Sequence, residues 1–63
     1  MTKDEWKTAY AAHMAQRLDI ELAQAQDIAD AGVEGEEEMS GPEVADWRTP
    51  EEAVDDELSY WGD

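Results

Sequence analysis

The sequence predicts an all-α fold: a small bundle of about three helices, over residues 3–17, 20–31 and 50–61, with a long acidic loop at 33–48. Three observations predict it. Two helix-start signatures stand at Thr2-Lys3-Asp4-Glu5 and Thr49-Pro50-Glu51-Glu52. Each pairs an N-cap threonine with a glutamate three residues on. Apolar residues recur behind both at helical spacing. Residues 3–31 hold eight of the ten alanines and neither glycine nor proline.

Helix 1 starts at the Thr2 box, where Asp4 and Glu5 also suit the positive end of the helix dipole. Trp6, Tyr10 and Met14 follow at i, i+4, i+8, with Ala9 beside them, and form one apolar stripe. Lys3 and Lys7 project elsewhere, into solvent. Leu18-Asp19-Ile20 reads as a turn, with Asp19 capping a second helix and Leu18 and Ala23 forming a hydrophobic staple around it. An unbroken helix over 3–31 is the alternative. It would be about 43 Å long at 1.5 Å per residue, difficult for so short a chain to cover without dimerising. Gly32 then ends helix 2 as a left-handed cap.

Residues 32–48 read as loop, punctuated by Gly35, Gly41 and Pro42 and carrying the like-charge run Glu36-Glu37-Glu38. Within it, Pro42–Trp47 is expected to form one helical turn that carries Val44 and Trp47 inward. Helix 3 combines the Thr49 cap with proline at its first position. Val54, Leu58 and Trp61 at i, i+4, i+7 dock it, and Gly62 ends it. Trp6, Tyr10, Trp47, Tyr60 and Trp61 are expected to build the core. The alternative is that Tyr60 and Trp61 stay exposed as anchors for a partner.

Sixty-three residues allow one small domain. Eight Leu, Ile and Val residues make about 13% of the chain, below the roughly 20% at which high net charge begins to predict disorder. Aromatics must therefore supply much of the buried surface. Eighteen acidic residues against four basic ones give a net charge of −14. The charge is uneven: residues 1–31 carry a net −3 and residues 32–63 a net −11. Self-repulsion on this scale is expected to make stability depend on salt and pH.

The same charge argues against direct contact with nucleic-acid phosphates or an anionic membrane surface. No apolar run approaches a membrane span, and Met1–Tyr10 lacks the apolar core of a signal peptide. The expected location is cytoplasmic. The absence of cysteine removes disulfides, thiolate metal sites and thiol nucleophiles together. His13, the one histidine, has no serine or cysteine arranged with it for nucleophilic chemistry. The glutamate run lacks the alternating oxygen ligands and sixth-position glycine of a calcium loop. Neither an enzyme nor a cofactor is expected.

What remains are the carboxylates. Glu51–Asp55 and Glu52–Asp56 are like-charge pairs at i, i+4, with Glu57 continuing the run. Each pair costs a few tenths of a kcal/mol. A chain needing only solubility is free to place lysines there. Such a face presents carboxylates at about 6 Å intervals, similar to phosphates along a nucleic-acid strand. Glu36, Glu37, Glu38, Glu51, Glu52, Asp55, Asp56 and Glu57 are accordingly the candidate partner-binding residues.

In size, acidity, lack of cysteine and these carboxylate rows, the chain resembles the small single-domain inhibitors of bacteriophages and mobile elements, including anti-CRISPR and other DNA-mimic proteins. Those families share no motif, so the resemblance covers composition and charge and carries over no residue. It implies a stoichiometric inhibitor acting in a host bacterial cell. Its partner would be a basic host protein or nucleoprotein complex whose nucleic-acid-binding surface it occupies. Two alternatives are an acidic antitoxin or adaptor masking a basic partner, and a small helical structural or assembly protein that pairs through its N-terminal helices as a homodimer.

Overall fold

Both threonine boxes close as the sequence predicts. In the computed structural model, which describes residues 1–61, the Glu5 backbone N–H donates to Thr2 Oγ1 at 3.1 Å. The Thr2 N–H donates in return to Glu5 Oε1 at 2.8 Å. These bonds start α1 (Lys3–Leu18). The Thr49 box is looser, at 3.2 Å from the Glu52 N–H to Thr49 Oγ1 and 3.4 Å for the return bond. It starts α3 (Pro50–Trp61). The expected stop at Gly62 lies outside the described residues.

The chain breaks between the first two helices, but Asp19 plays the opposite part to the one expected. It does not cap helix 2. It closes α1 in the left-handed conformation, φ 56° and ψ 49°, which aspartate tolerates better than most side chains. The N–H groups of Asp19 and Ile20 both donate to the Ala15 carbonyl. α2 then runs Leu22–Ser40, with Glu21 at its N-cap making no side-chain capping bond.

That range is the main correction. Gly32 does not end α2, and 33–48 is not an acidic loop: the helix passes through both glycines and the glutamate run to Ser40. It stops at Gly41, whose φ of 89° demands glycine, with Pro42 behind it. Tertiary packing overrides the local helix cost of the two glycines. Ala25 and Ala29 are fully buried on the α2 face turned toward α1, and Ile28 and Val33 pack beside them. Residues 41–49 are a short connector with a single 3-10 turn. That turn, Val44–Asp46, carries Trp47 into the core, as expected of this stretch.

The core is built on α1. Trp6, Tyr10, Ala11 and Met14 are each at most 1% exposed. Trp6 stacks on Tyr10 at 5.2 Å between ring centroids and meets Trp47 edge-on at 5.1 Å. Both indole N–H groups are satisfied by backbone, Trp6 on the Arg48 carbonyl at 2.9 Å and Trp47 on the Gly41 carbonyl at 2.8 Å. Ala53 and Val54 dock α3 onto the same cluster, with Leu58 partly buried. Trp61 does not complete that stripe. It is 51% exposed and Tyr60 80%, so two of the five aromatics stand outside the core. α2 and α3 each pack against α1 and barely touch one another. No helix is long and apolar enough to cross a membrane among the described residues.

Candidate functional site: a cation-locked bundle and its acidic faces

Every cationic side chain of this protein joins one element of the fold to another. On α1, Lys3 pairs with Glu37 and Lys7 with Asp30, both on α2. Arg17 pairs with Asp55 on α3, and His13 Nε2 lies 3.6 Å from the same carboxylate. Arg48, on the connector, bridges both remaining helices. Its Nε and Nη2 donate to Glu36 Oε1 at 2.9 and 2.6 Å, and its Nη1 lies 3.0 Å from Asp56 Oδ2. These partners hold the Arg48 guanidinium above its ordinary pKa, the hydrogen bonds to Glu36 first and to Asp56 second. The Asp30 bond raises Lys7 in the same way.

The eight candidate carboxylates consequently divide. Glu36 is 3% exposed and belongs to the interior. Glu37, Asp55 and Asp56 are exposed enough to meet a partner, yet each already holds a cation. Glu52 is occupied with the Thr49 cap. Glu38 and Glu51 are exposed with no cationic partner, and Glu57 is half-buried beside a cleft.

A second row continues past residue 31, the expected end of helix 2, into residues that the sequence reads as loop. Helical geometry places Asp30, Glu34 and Glu38 at i, i+4, i+8 along α2, at intervals of about 6 Å, with Asp27 on the same face. All four are exposed. The opposite face explains Glu36. Ala25, Ala29, Gly32 and Glu36 follow one another at spacings of four, three and four, so the carboxylate falls on the buried stripe. That spacing is the signal in the sequence that marks Glu36 as different from its neighbours.

Between α2 and α3 lies a cleft of about 260 Å³. Tyr10, Gly32 and Gly35 line it, Met39 and Tyr60 stand at it with 73% and 80% of their surface exposed, and Glu36, Arg48, Asp56 and Glu57 supply its charge. Those four groups sum to a net −2. The Tyr10 phenol is pushed up to about 12, mainly by burial and then by the charges of Glu57 and, to a lesser degree, Glu36. Glu36 is not fully satisfied. Oε1 takes both Arg48 donors, while Oε2 is sealed from solvent with no donor. A buried acceptor left in that state costs about 1–3 kcal/mol, more when charged.

No protein-family model, curated protein sequence or solved structure matches the chain. Among the described residues, no group of three His, Cys, Asp or Glu side chains is placed to hold a metal ion.

Proposed function

We propose that this protein is an acidic ligand that binds and blocks a basic, nucleic-acid-binding surface of a host protein, in the manner of a DNA mimic or anti-CRISPR-like inhibitor. The observation that carries the reading is the use of the cations. All four basic side chains are engaged inside the fold. The remaining carboxylates therefore face outward without compensation. Lys7 relieves Asp30 alone; a fold that needed only solubility has no reason to leave Glu34 and Glu38 as an unrelieved i, i+4 pair beyond it, because each like-charge pair weakens the helix. A basic groove offers the missing counter-charge.

The partner is met in the cytoplasm of a host bacterial cell. Association is steered by the long-range field, so it is fast at low salt and slows steeply as salt rises. The contact face on this reading is the outer side of α2, with Glu51 at the start of α3, more than the Asp55–Asp56 pair. Reversing Asp55 and Asp56 to lysine would set new cations beside Arg17 and Arg48, and so would damage the bundle along with any interface.

The deciding experiment uses a nucleic-acid-binding protein captured from host lysate at low salt and eluted by a salt gradient. The intact chain is expected to displace labelled nucleic acid from it. The variant carrying D27N, E34Q and E38Q, which touches none of the internal ion pairs, is expected to lose at least tenfold in potency. Equal potency of the two chains would refute the reading.

A further inference from the structure

We propose that the apolar groove between α2 and α3 seats an amphipathic, basic helix of the partner. This rests on the preceding reading and names the kind of element by which the partner is held. The groove exists because α2 and α3 each pack on α1 and barely touch one another, which leaves the corner between them uncovered. Its walls are uncharged stripes at helical spacing. On α2, Ala31, Gly35 and Met39 stand at i, i+4, i+8, and on α3, Ala53 and Tyr60 stand at i, i+7. Each stretch covers about 10–12 Å at 1.5 Å per residue, two turns of helix. Met39 is 73% exposed and Tyr60 80%, an adaptable thioether and a flat ring both left in water. Between the two walls Gly35 offers no side chain, and a β-carbon there would meet nothing within 4 Å.

Charge selects the occupant. At about 100° per residue, Asp27, Glu34 and Glu38 lie within about 60° of Ala31 around α2. The acidic row therefore borders the apolar stripe on its solvent side. All three carboxylates are exposed and hold no cation among the described residues. Glu36 and Asp56, which are paired with Arg48, take no part. A helix that lays apolar side chains into the groove at i, i+4 and i+7 sets the lysines or arginines of its flank against that row. A second copy of this chain does not fit, because it would bring a net −14 against the same charge. A nucleic-acid strand is repelled for the same reason.

The probe is a blocked peptide of leucine and lysine alone, about fourteen residues or four turns long, with its leucines on one helical face. It is titrated into the labelled protein and followed by amide chemical shifts. Saturable shifts at Ala31, Gly35, Met39 and Tyr60 are expected. A peptide of the same composition and charge, with its leucines scattered around the helix, is expected to bind at least tenfold more weakly. The Met39→Gln/Tyr60→Gln chain changes two exposed side chains and no charge, and circular dichroism confirms that it is folded. It is expected to bind the amphipathic peptide at least fivefold more weakly than the intact chain.

Equal binding of the two peptides overturns the proposal, since charge alone would then account for it. Undiminished binding by Met39→Gln/Tyr60→Gln overturns it as well. So do shifts at the same four residues when the protein alone is concentrated, which would assign the groove to a second copy. The broader reading fails separately, on the displacement assay. If Met39→Gln/Tyr60→Gln displaces nucleic acid as well as the intact chain while D27N/E34Q/E38Q does not, only the groove is lost.

Discussion

The ring of Tyr10 lies against the backbone of Gly32, so closely that a β-carbon there would sit 3.0 Å from Cζ and 3.1 Å from Cε2. Gly32 is what lets α2 approach the aromatic layer of α1. Three residues on, Gly35 has open space instead. The two glycines of one helix thus make a matched pair. Alanine at Gly35 is expected to raise stability by about 0.5–1 kcal/mol, the usual helix gain over glycine. Alanine at Gly32 has the same gain opposed by overpacking of about 1–3 kcal/mol, because Tyr10 is 1% exposed and has nowhere to move. A net loss near 1 kcal/mol is expected. Thermal melts check both, as shifts of opposite sign at about 4–8 °C per kcal/mol in a domain of this size.

Arg48 is the one cation that ties a buried carboxylate. Arg48→Met strands Glu36 and should destabilise the chain by about 3 kcal/mol, the low end for breaking a buried pair, since the Arg48 side chain is itself 39% exposed. Adding Glu36→Met should recover most of the loss, because two apolar groups replace two charges. Urea denaturation of the single and double variants measures the coupling. If the double variant is no more stable than Arg48→Met alone, the pair is not what holds the connector.

Alkaline pH should unfold the protein through Tyr10. The folded phenol keeps its proton to about 12, whereas in the unfolded chain it is released near its ordinary value of 10.0. Between those values the folded state binds more protons, so stability is whole below pH 10 and falls as pH rises toward 12. Lys7, raised by Asp30, adds a loss of the same sign. The Tyr10→Phe variant keeps the ring packing and is expected to flatten part of the slope. Stability measured against pH in the two chains decides it.

Salt should strengthen the fold. At about 0.01 M ionic strength the Debye length is near 30 Å, the scale of the whole molecule, and at 0.1 M near 10 Å. The internal pairs sit at contact distance and are screened less than the many longer repulsions among unpaired carboxylates. The helical circular-dichroism melt is expected to shift upward by several degrees across that range. A melting temperature that stays constant or falls would show that the ion pairs dominate.

The starts of helices 1 and 3 were legible because threonine, proline and glutamate act locally there, within one turn of chain. The aromatic stripe Trp6-Tyr10-Met14 was legible for the same reason. A second helix was legible too, but its run past Gly32 to Ser40 was not. Gly32 and Gly35 are stop signals only while nothing packs on them, and the ring that packs on Gly32 belongs to another helix. Ending that helix at residue 31 hid the continuation of its acidic row to Glu34 and Glu38 and the different position of Glu36. The role of Asp55 and Asp56 was hidden too, since a carboxylate row looks the same whether or not Arg17 and Arg48 fold back onto it. Trp61 fits the apolar spacing of helix 3, but spacing alone does not say how far the packing against α1 extends, and Tyr60 and Trp61 stay exposed.

The scarcity of basic residues also governs how the molecule meets a protease. Trypsin has four places to cut, after Lys3, Lys7, Arg17 and Arg48, and at each the side chain it must grip is already held by a carboxylate across the fold. Digestion must wait for a helix or the connector to come loose. The order in which the four cuts appear therefore reads out which part of the bundle opens first.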